Sequence, residues 1–283
     1  YDFISCPIIY SGQKIKTQLI SNSNKDITVN IFIKFWGEND KLIKLNSENF
    51  FFKSNENKTL EWNVPDTYSN PIAQLGVSIT SEEKCSGKLL VNYLDILGEP
   101  KITFKKPEHI ANPKRGTEPL ESAFYGHMWR NNWVQAIDKW ESRWEEPFRI
   151  TQNIGRGMIF TGNDKWKDYS VSSKLNFHLV NSGGIIARVQ GLKRFYALEV
   201  TPEQKLRISK MYYEKETLKE IDFKFEFFTE YDLKLEVTDH NIKGYLDGKL
   251  IIEAEDKNNP LISGGAGIFV EDGTMCTNEI TLN

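Results

Sequence analysis

Polar and apolar residues alternate one by one through long stretches of this chain. In Ile27-Thr28-Val29-Asn30-Ile31-Phe32-Ile33-Lys34-Phe35 the side chains of Val29, Ile31, Ile33 and Phe35 fall on one side, and those of Thr28, Asn30 and Lys34 on the other. A period of two marks a half-buried strand, and apolar residues at helical spacing hardly occur here. The pattern predicts strands at 14–19, 27–35, 50–53, 59–64, 75–80, 88–97 and 102–105. After a break it predicts more at 148–152, 157–161, 169–177, 184–190, 195–200, 205–212, 219–225, 231–238, 242–246, 249–255, 265–270 and 278–282. Asp247-Gly248, set between Gly244-Tyr245-Leu246 and Lys249-Leu250-Ile251, predicts a type I′ hairpin whose turn needs positive φ. Short strands recurring between turn signals predict an all-β chain built as antiparallel β-sandwiches.

The alternation lapses between Lys106 and Gly126, where Pro107, Pro113, Gly116 and Pro119 interrupt polar sequence. The expectation is two tandem β-sandwich (jelly-roll) domains, 1–105 and 129–283, joined by a semi-rigid segment 106–128. A length of 283 residues suits two cores, since domains cluster near about 100–150 residues. The stretch from Trp129 to Trp144 holds four indoles and reads as a short helix or an irregular entry to the second domain.

Composition narrows the function classes. Hydrophobic residues at 39% and aromatics at 12% favour packed domains over disorder. The 36 basic and 39 acidic side chains are interspersed and leave a net charge of −3, so no long-range field favours nucleic acid or an anionic membrane. No apolar run approaches the roughly 20 residues that span a bilayer. The opening Tyr1-Asp2-Phe3 has neither an initiating Met nor a basic leader region, as expected of a fragment or a processed product. Cys6, Cys85 and Cys276 are far apart and odd in number, which argues against a zinc site and a disulfide framework; a Cys6–Cys85 bridge remains an alternative to buried thiols. The odd count favours a reducing, cytoplasmic compartment. His109, His127, His178 and His240 are isolated from one another and from cysteine, so neither a metal cluster nor a Ser-His-Asp triad is visible.

The run Tyr231-Asp-Leu-Lys-Leu-Glu-Val-Thr-Asp-His-Asn-Ile-Lys-Gly-Tyr-Leu-Asp-Gly-Lys-Leu-Ile251 resembles the paired hairpins of concanavalin A-like and laminin-G-like jelly rolls. The resemblance extends to Trp166-Lys-Asp-Tyr-Ser-Val171, Gly183-Gly-Ile-Ile-Ala-Arg-Val-Gln190, Tyr196-Ala-Leu198 and Gly264-Gly-Ala-Gly-Ile-Phe-Val270, and so covers most of 129–283. Residues 1–105 resemble a galactose-binding-type jelly roll through Leu60-Glu-Trp-Asn-Val-Pro65, Ile72-Ala-Gln-Leu-Gly76 and Ser86-Gly-Lys-Leu-Leu-Val-Asn-Tyr-Leu-Asp95. Related domains often carry an acid in the last strand; this chain has Asn92 there, which weakens the case for a structural calcium, and no cofactor is expected. The domain order, with Met128-Trp-Arg130, Glu146-Pro-Phe-Arg149, Asn153-Ile-Gly-Arg-Gly157 and Arg188-Val-Gln-Gly-Leu-Lys-Arg-Phe-Tyr196, is similar to the C-terminal accessory region of bacterial ADP-ribosylglycohydrolase-family proteins. That likeness implies a hydrolase domain upstream as partner.

Candidate chemistry is then weighed residue by residue. Arg188 and Lys210 occupy positions whose parity suggests apolar side chains, and a charge there needs either a partner or an aqueous hollow. With Gln190, Arg194 and Tyr196 they form a candidate ligand face; the rival reading is an ion pair with a carboxylate such as Glu199. Trp129, Arg130 and Trp133 are candidates at its edge, one indole stacking on a sugar while the others are structural. Asn153-Ile-Gly-Arg-Gly157 is a candidate anion turn, with Arg156 adding charge, against the commoner reading of a plain Gly-rich turn. Glu220, Asp222 and Glu226 superficially resemble the carboxylates of jelly-roll glucanases, but Lys224 interrupts them and a solvated strand face explains the run. The leading expectation is a non-catalytic pair that binds a glycan or glycoside and positions an attached hydrolase. A sugar-processing hydrolase and a purely structural docking or dimerisation module are the alternatives.

Overall fold

The computed structural model describes residues 8–37, 40–107, 128–141 and 144–283, so Cys6, His109, His127 and most of the predicted joining segment lie outside the described residues. Among the described residues, contacts divide the chain into two compact units. One runs to Pro100 and takes in 128–131; the other holds 101–107 and continues from Asn132 to Asn283.

The first unit is a sandwich of two small antiparallel sheets. Strands β1 (Lys14–Ser21), β5 (Asn57–Asn63) and β7 (Leu89–Leu97) form one, in the order β5-β1-β7. The other centres on β2 (Ile27–Trp36), flanked by β6 (Ile72–Thr80) on one side and by β3 (Leu42–Asn46) and β4 (Phe50–Phe52) on the other. Alternation is strict in β1 and β2, and their buried positions meet in one core: Ile15 and Leu19 from the first sheet, Val29, Ile31, Ile33 and Phe35 from the second, closed by Phe52, Leu60 and Ile72. Strand β3 was not visible in the pattern because Leu42 and Ile43 are both exposed; it is held by pairing with the far end of β2 across Gly37, whose amide donates to the Lys41 carbonyl.

The second unit is a larger antiparallel sandwich. One layer runs β16 (Glu214–Asp222), β15 (Lys205–Tyr212), β14 (Arg194–Thr201), β13 (Ser182–Gly191), β20 (Gly265–Cys276), β11 (Ile150–Thr161), β9 (Val134–Ala136), with β10 (Lys139–Trp140) pairing the start of β11. The other runs β19 (Lys249–Glu255), β18 (Asn241–Leu246), β17 (Glu230–Thr238), β12 (Tyr169–His178), with β21 (Glu279–Leu282) beside β12. Strand β20 joins the layers, since its first part pairs with β13 and its end with β12. A Cβ on Gly244 of β18 would lie 2.7 Å from Leu198 Cδ1, so Leu198, with Ile185 and Ile208 level with it across the ladder, faces the opposite layer. The turn after Leu246 has φ of 49° at Asp247 and 75° at Gly248, as a type I′ hairpin requires.

Three strand expectations are corrected. Ile102–Lys105 (β8), expected in the first sandwich, pairs with β21 and completes the second. The predicted strands 148–152 and 157–161 are one strand, β11, with a register break between Gln152 and Arg156. The strand predicted at 219–225 starts earlier and stops at Asp222, beyond which Phe225 still reaches the core from a loop. The Trp129–Trp144 stretch is a 3-10 turn, Met128–Asn132, followed by β9 and β10.

Candidate functional site

Period-two reasoning put Arg188 on the face of Ile186. A β-bulge moves it. The β13 register against β20 breaks between Ile186 and Val189, and Arg188 adopts φ of 50°, a left-handed conformation that costs a non-Gly residue strain. Its amide, taken out of the ladder, donates to the Tyr169 hydroxyl at 2.7 Å. The side chain is 0% exposed: Nε donates to the Lys167 carbonyl, Nη1 to those of Asp239 (2.5 Å) and Leu261 (2.7 Å), and Nη2 to Asp168 Oδ1 at 3.2 Å. A planar guanidinium with several fixed donors suits the task of tying three loops together.

Lys210 and Tyr196 do the same work one strand pair away. Both are buried on the inner face, opposite one another in the β14–β15 ladder. Lys210 Nζ lies 2.8 Å from Asp256 Oδ2 and donates to the carbonyls of Asn258 (2.5 Å) and Asn259 (2.8 Å). The Tyr196 hydroxyl donates to Asp256 Oδ2 at 2.6 Å and accepts from the Leu261 amide at 2.9 Å. Burial alone would raise the Asp256 carboxyl; hydrogen bonds from Lys210, Tyr196 and the Asn258 amide outweigh it and hold the carboxyl below its ordinary value. The Tyr196 and Tyr169 hydroxyls are pushed up chiefly by burial. Tyr169 also donates towards the Gly264 and Gly265 carbonyls. The segment 256–265 is thus pinned at both ends by buried polar groups. Arg188, Tyr196 and Lys210, expected to touch ligand, instead spend their donors on the protein, because buried polar groups must find partners. Arg188 and Lys210 do pair with carboxylates, but with Asp168 and Asp256; Glu199, the example of a carboxylate partner considered for these cations, accepts from Ser182 and Lys215.

Two expected residues remain at the surface of this end. Gln190 is exposed and donates to the Ser263 carbonyl at 2.9 Å. Arg194 is half-buried, with its guanidinium carbon 5.0 Å from the Tyr212 ring and 4.8 Å from that of Tyr213, and it donates to the Tyr213 hydroxyl at 2.5 Å. Lys210 Nζ sits 5.6 Å from the Tyr212 ring. Lysine, tyrosine, arginine and tyrosine therefore form a layered stack from interior to surface, ending on Tyr213, which is 58% exposed. Sequence reading missed both tyrosines; two adjacent aromatics at the end of a strand were the available signal.

The other candidates lie elsewhere. Trp133 is buried against Phe104 and Phe148, at centroid separations of 4.9 and 5.6 Å, and Trp140 stacks on Phe148, so these indoles close one end of the second sandwich. Trp129 is buried, and burial lowers the Arg130 guanidinium. Arg156 pairs with Glu271 and lies over the Phe195 and Phe269 rings at 5.3 and 5.4 Å. The anion expected at its turn is supplied internally, since the Gly155 amide donates to Asp272 Oδ1 at 2.5 Å. Glu220 pairs with Arg207 and Asp222 with Lys205 on the β16 edge. Asn92 donates to Gln18 Oε1 at 2.6 Å, and among the described residues no three His, Cys, Asp or Glu side chains gather as a metal site.

Fold and site together define an all-β chain of two antiparallel sandwiches, the second carrying a rigid, loop-pinning polar interior beneath an aromatic surface. No known protein family matches the sequence, and no curated protein matches it. Solved structures that it is similar to include the carbohydrate-binding module CBM66 from Bacillus subtilis, at 21% identity over 54% of this chain and 95% of that one, with a TM-score of 0.49. A GH43 protein from Bacillus licheniformis is similar at 16% identity over 54% of this chain but 36% of its own, TM-score 0.42. A Bacillus subtilis protein of unknown function with a galectin-like fold is similar at 9% identity over 55% and 90%, TM-score 0.44.

Proposed function

We propose that the second sandwich is a non-catalytic carbohydrate-binding module and that its ligand lies on the stack formed by Arg194, Tyr212 and Tyr213. The observation that carries this reading is an exposed aromatic and guanidinium surface built on a buried, fully paired base. Tyrosine rings accept the C–H face of a sugar, and Arg194 and Gln190 offer N–H donors to its hydroxyls. The bonds from Lys210, Tyr196 and Arg188 to the neighbouring segment 256–265 support the site from behind, so binding orders little that is not already ordered. Gln190 and Arg194 keep the direct role expected of them, and Arg188, Tyr196 and Lys210 become positioning residues. In this reading the sandwich pair is an accessory region that serves an attached hydrolase by holding it near glycan.

Glycan-array screening followed by calorimetry tests the proposal. Saccharide should bind without turnover, and Arg194→Ala or Tyr213→Ala should each weaken binding by about tenfold, the effect of losing roughly 1.4 kcal/mol. Full affinity in both variants rejects this surface. Release of reducing sugar, abolished by Glu220→Gln or Asp222→Asn, would favour the hydrolase alternative.

A further inference from the structure

Charge sets the aromatic stack apart from the rest of the second sandwich. Among the described residues of that unit, Arg149, Arg156, Arg188 and Arg207 each meet a carboxylate, those of Glu146, Glu271, Asp168 and Glu220 in turn. Arg194 is the exception among those residues, although it is half-buried between two rings. Its side chain donates to the uncharged Tyr213 hydroxyl alone, so most of its five N–H donors have no acceptor among the described residues. The Tyr212 and Tyr213 rings attract the cation through their quadrupoles but carry no net charge to cancel it.

Neither Asp256 nor Glu214 cancels that charge. Asp256 is taken up by Lys210, Tyr196 and the Asn258 amide. Glu214 stands level with Tyr212 in the β15–β16 ladder, on the other side of Tyr212 from Arg194. Its backbone is two strand spacings from that of Arg194, roughly 9–10 Å, where salt screens an exposed charge heavily. Lys193, exposed and next to Arg194 in the chain, adds a second cation. Its carbonyl accepts from the Tyr213 amide at 2.8 Å, and Tyr213 holds φ of 65°, left-handed backbone that is unusual for so large a side chain. Tyr213 is thereby fixed against the turn that carries both cations.

We propose that the saccharide taken by this stack is acidic, with a uronic-acid carboxylate seated on Arg194; the inference rests on the glycan-binding reading of the site. The bond from Arg194 Nη2 to the Tyr213 hydroxyl places the guanidinium at the hydroxyl end of that ring. A sugar laid on the exposed face of Tyr213 therefore turns one edge towards the guanidinium. An equatorial carboxylate projects from such an edge, close to the mean plane of the sugar. Carboxylate and guanidinium are both planar and join through two parallel charge-assisted hydrogen bonds. A neutral sugar offers hydroxyls alone and leaves the charge unmet.

Calorimetric titration of the whole chain with trimers of galacturonate, glucuronate and mannuronate, each set beside its methyl ester, tests the proposal. Esterification removes the charge and leaves the rest of the sugar in place. One trimer is expected to bind about tenfold more tightly than its ester, the gap between a hydrogen bond to a charged group and a neutral one, and added salt should narrow it. Arg194→Gln, which keeps N–H donors without the charge, should bring the acid down to the affinity of its ester. Arg194→Lys, which keeps the charge without the planar fork, should retain part of the gap. Tyr213→Ala should weaken acid and ester alike and leave their ratio intact. Equal affinity for every acid and its ester, or a gap that survives in Arg194→Gln, overturns the acidic assignment while the stack stands as a glycan site. Tighter binding of galactose 6-sulfate than of galacturonate and the other uronates overturns it in the same way. Absence of binding to every acid, ester and neutral glycan removes the site and this inference together.

Discussion

A lysine and an arginine buried in a sandwich are expensive to desolvate, and both are retained because each ties loops that no apolar side chain could tie. Lys210 shows the balance. It faces Asp256 at 2.8 Å with both groups almost wholly enclosed, so removing the cation leaves an uncompensated buried carboxylate. Lys210→Met is expected to cost about 3–5 kcal/mol of unfolding free energy in urea. Lys210→Met combined with Asp256→Asn, which keeps an acceptor for Tyr196, should recover part of that loss; a double variant as unstable as the single one would show that the attraction between the pair matters little. The sequence made these cations conspicuous by parity, but parity cannot report depth. Whether a polar residue at an apolar position meets solvent or a partner depends on segments far along the chain, here 256–265.

At the level of elements, alternation located most strands and the Asp247-Gly248 turn, because a half-buried strand writes its period directly into sequence. It failed where the backbone departs from period two. The bulge at Arg188 turns the side chains on either side of it, and the break after Gln152 hid the continuity of β11. Glycines in the central strands leave a clearer trace. A Cβ at Gly184 of β13 would collide with the Leu198 carbonyl of β14, and neither strand can retreat from a two-sided core. Gly184→Ala is expected to destabilise the fold by about 1–3 kcal/mol, read from the shift of the denaturant midpoint.

On the scale of the whole molecule, the sequence showed two β-rich halves around a proline-interrupted break, and each half has its own core. What it could not show is which half owns a strand near the break. Ile102–Lys105 has an unremarkable β pattern, and a pattern does not name its partner. In the structure its Thr103 hydroxyl meets that of Thr281 at 3.0 Å, and its Phe104 packs edge-on against Trp133.

That ownership governs how the second half should be excised for separate expression. A polypeptide starting at residue 129 would lack β8, baring the outer rim of β21 and one wall of the indole cluster, and exposed strand rims invite aggregation. A polypeptide starting at Lys101 keeps both. The shorter piece should therefore precipitate or melt lower in a thermal scan than the longer one, and equal behaviour of the two would mean that β8 contributes little to the sandwich it joins.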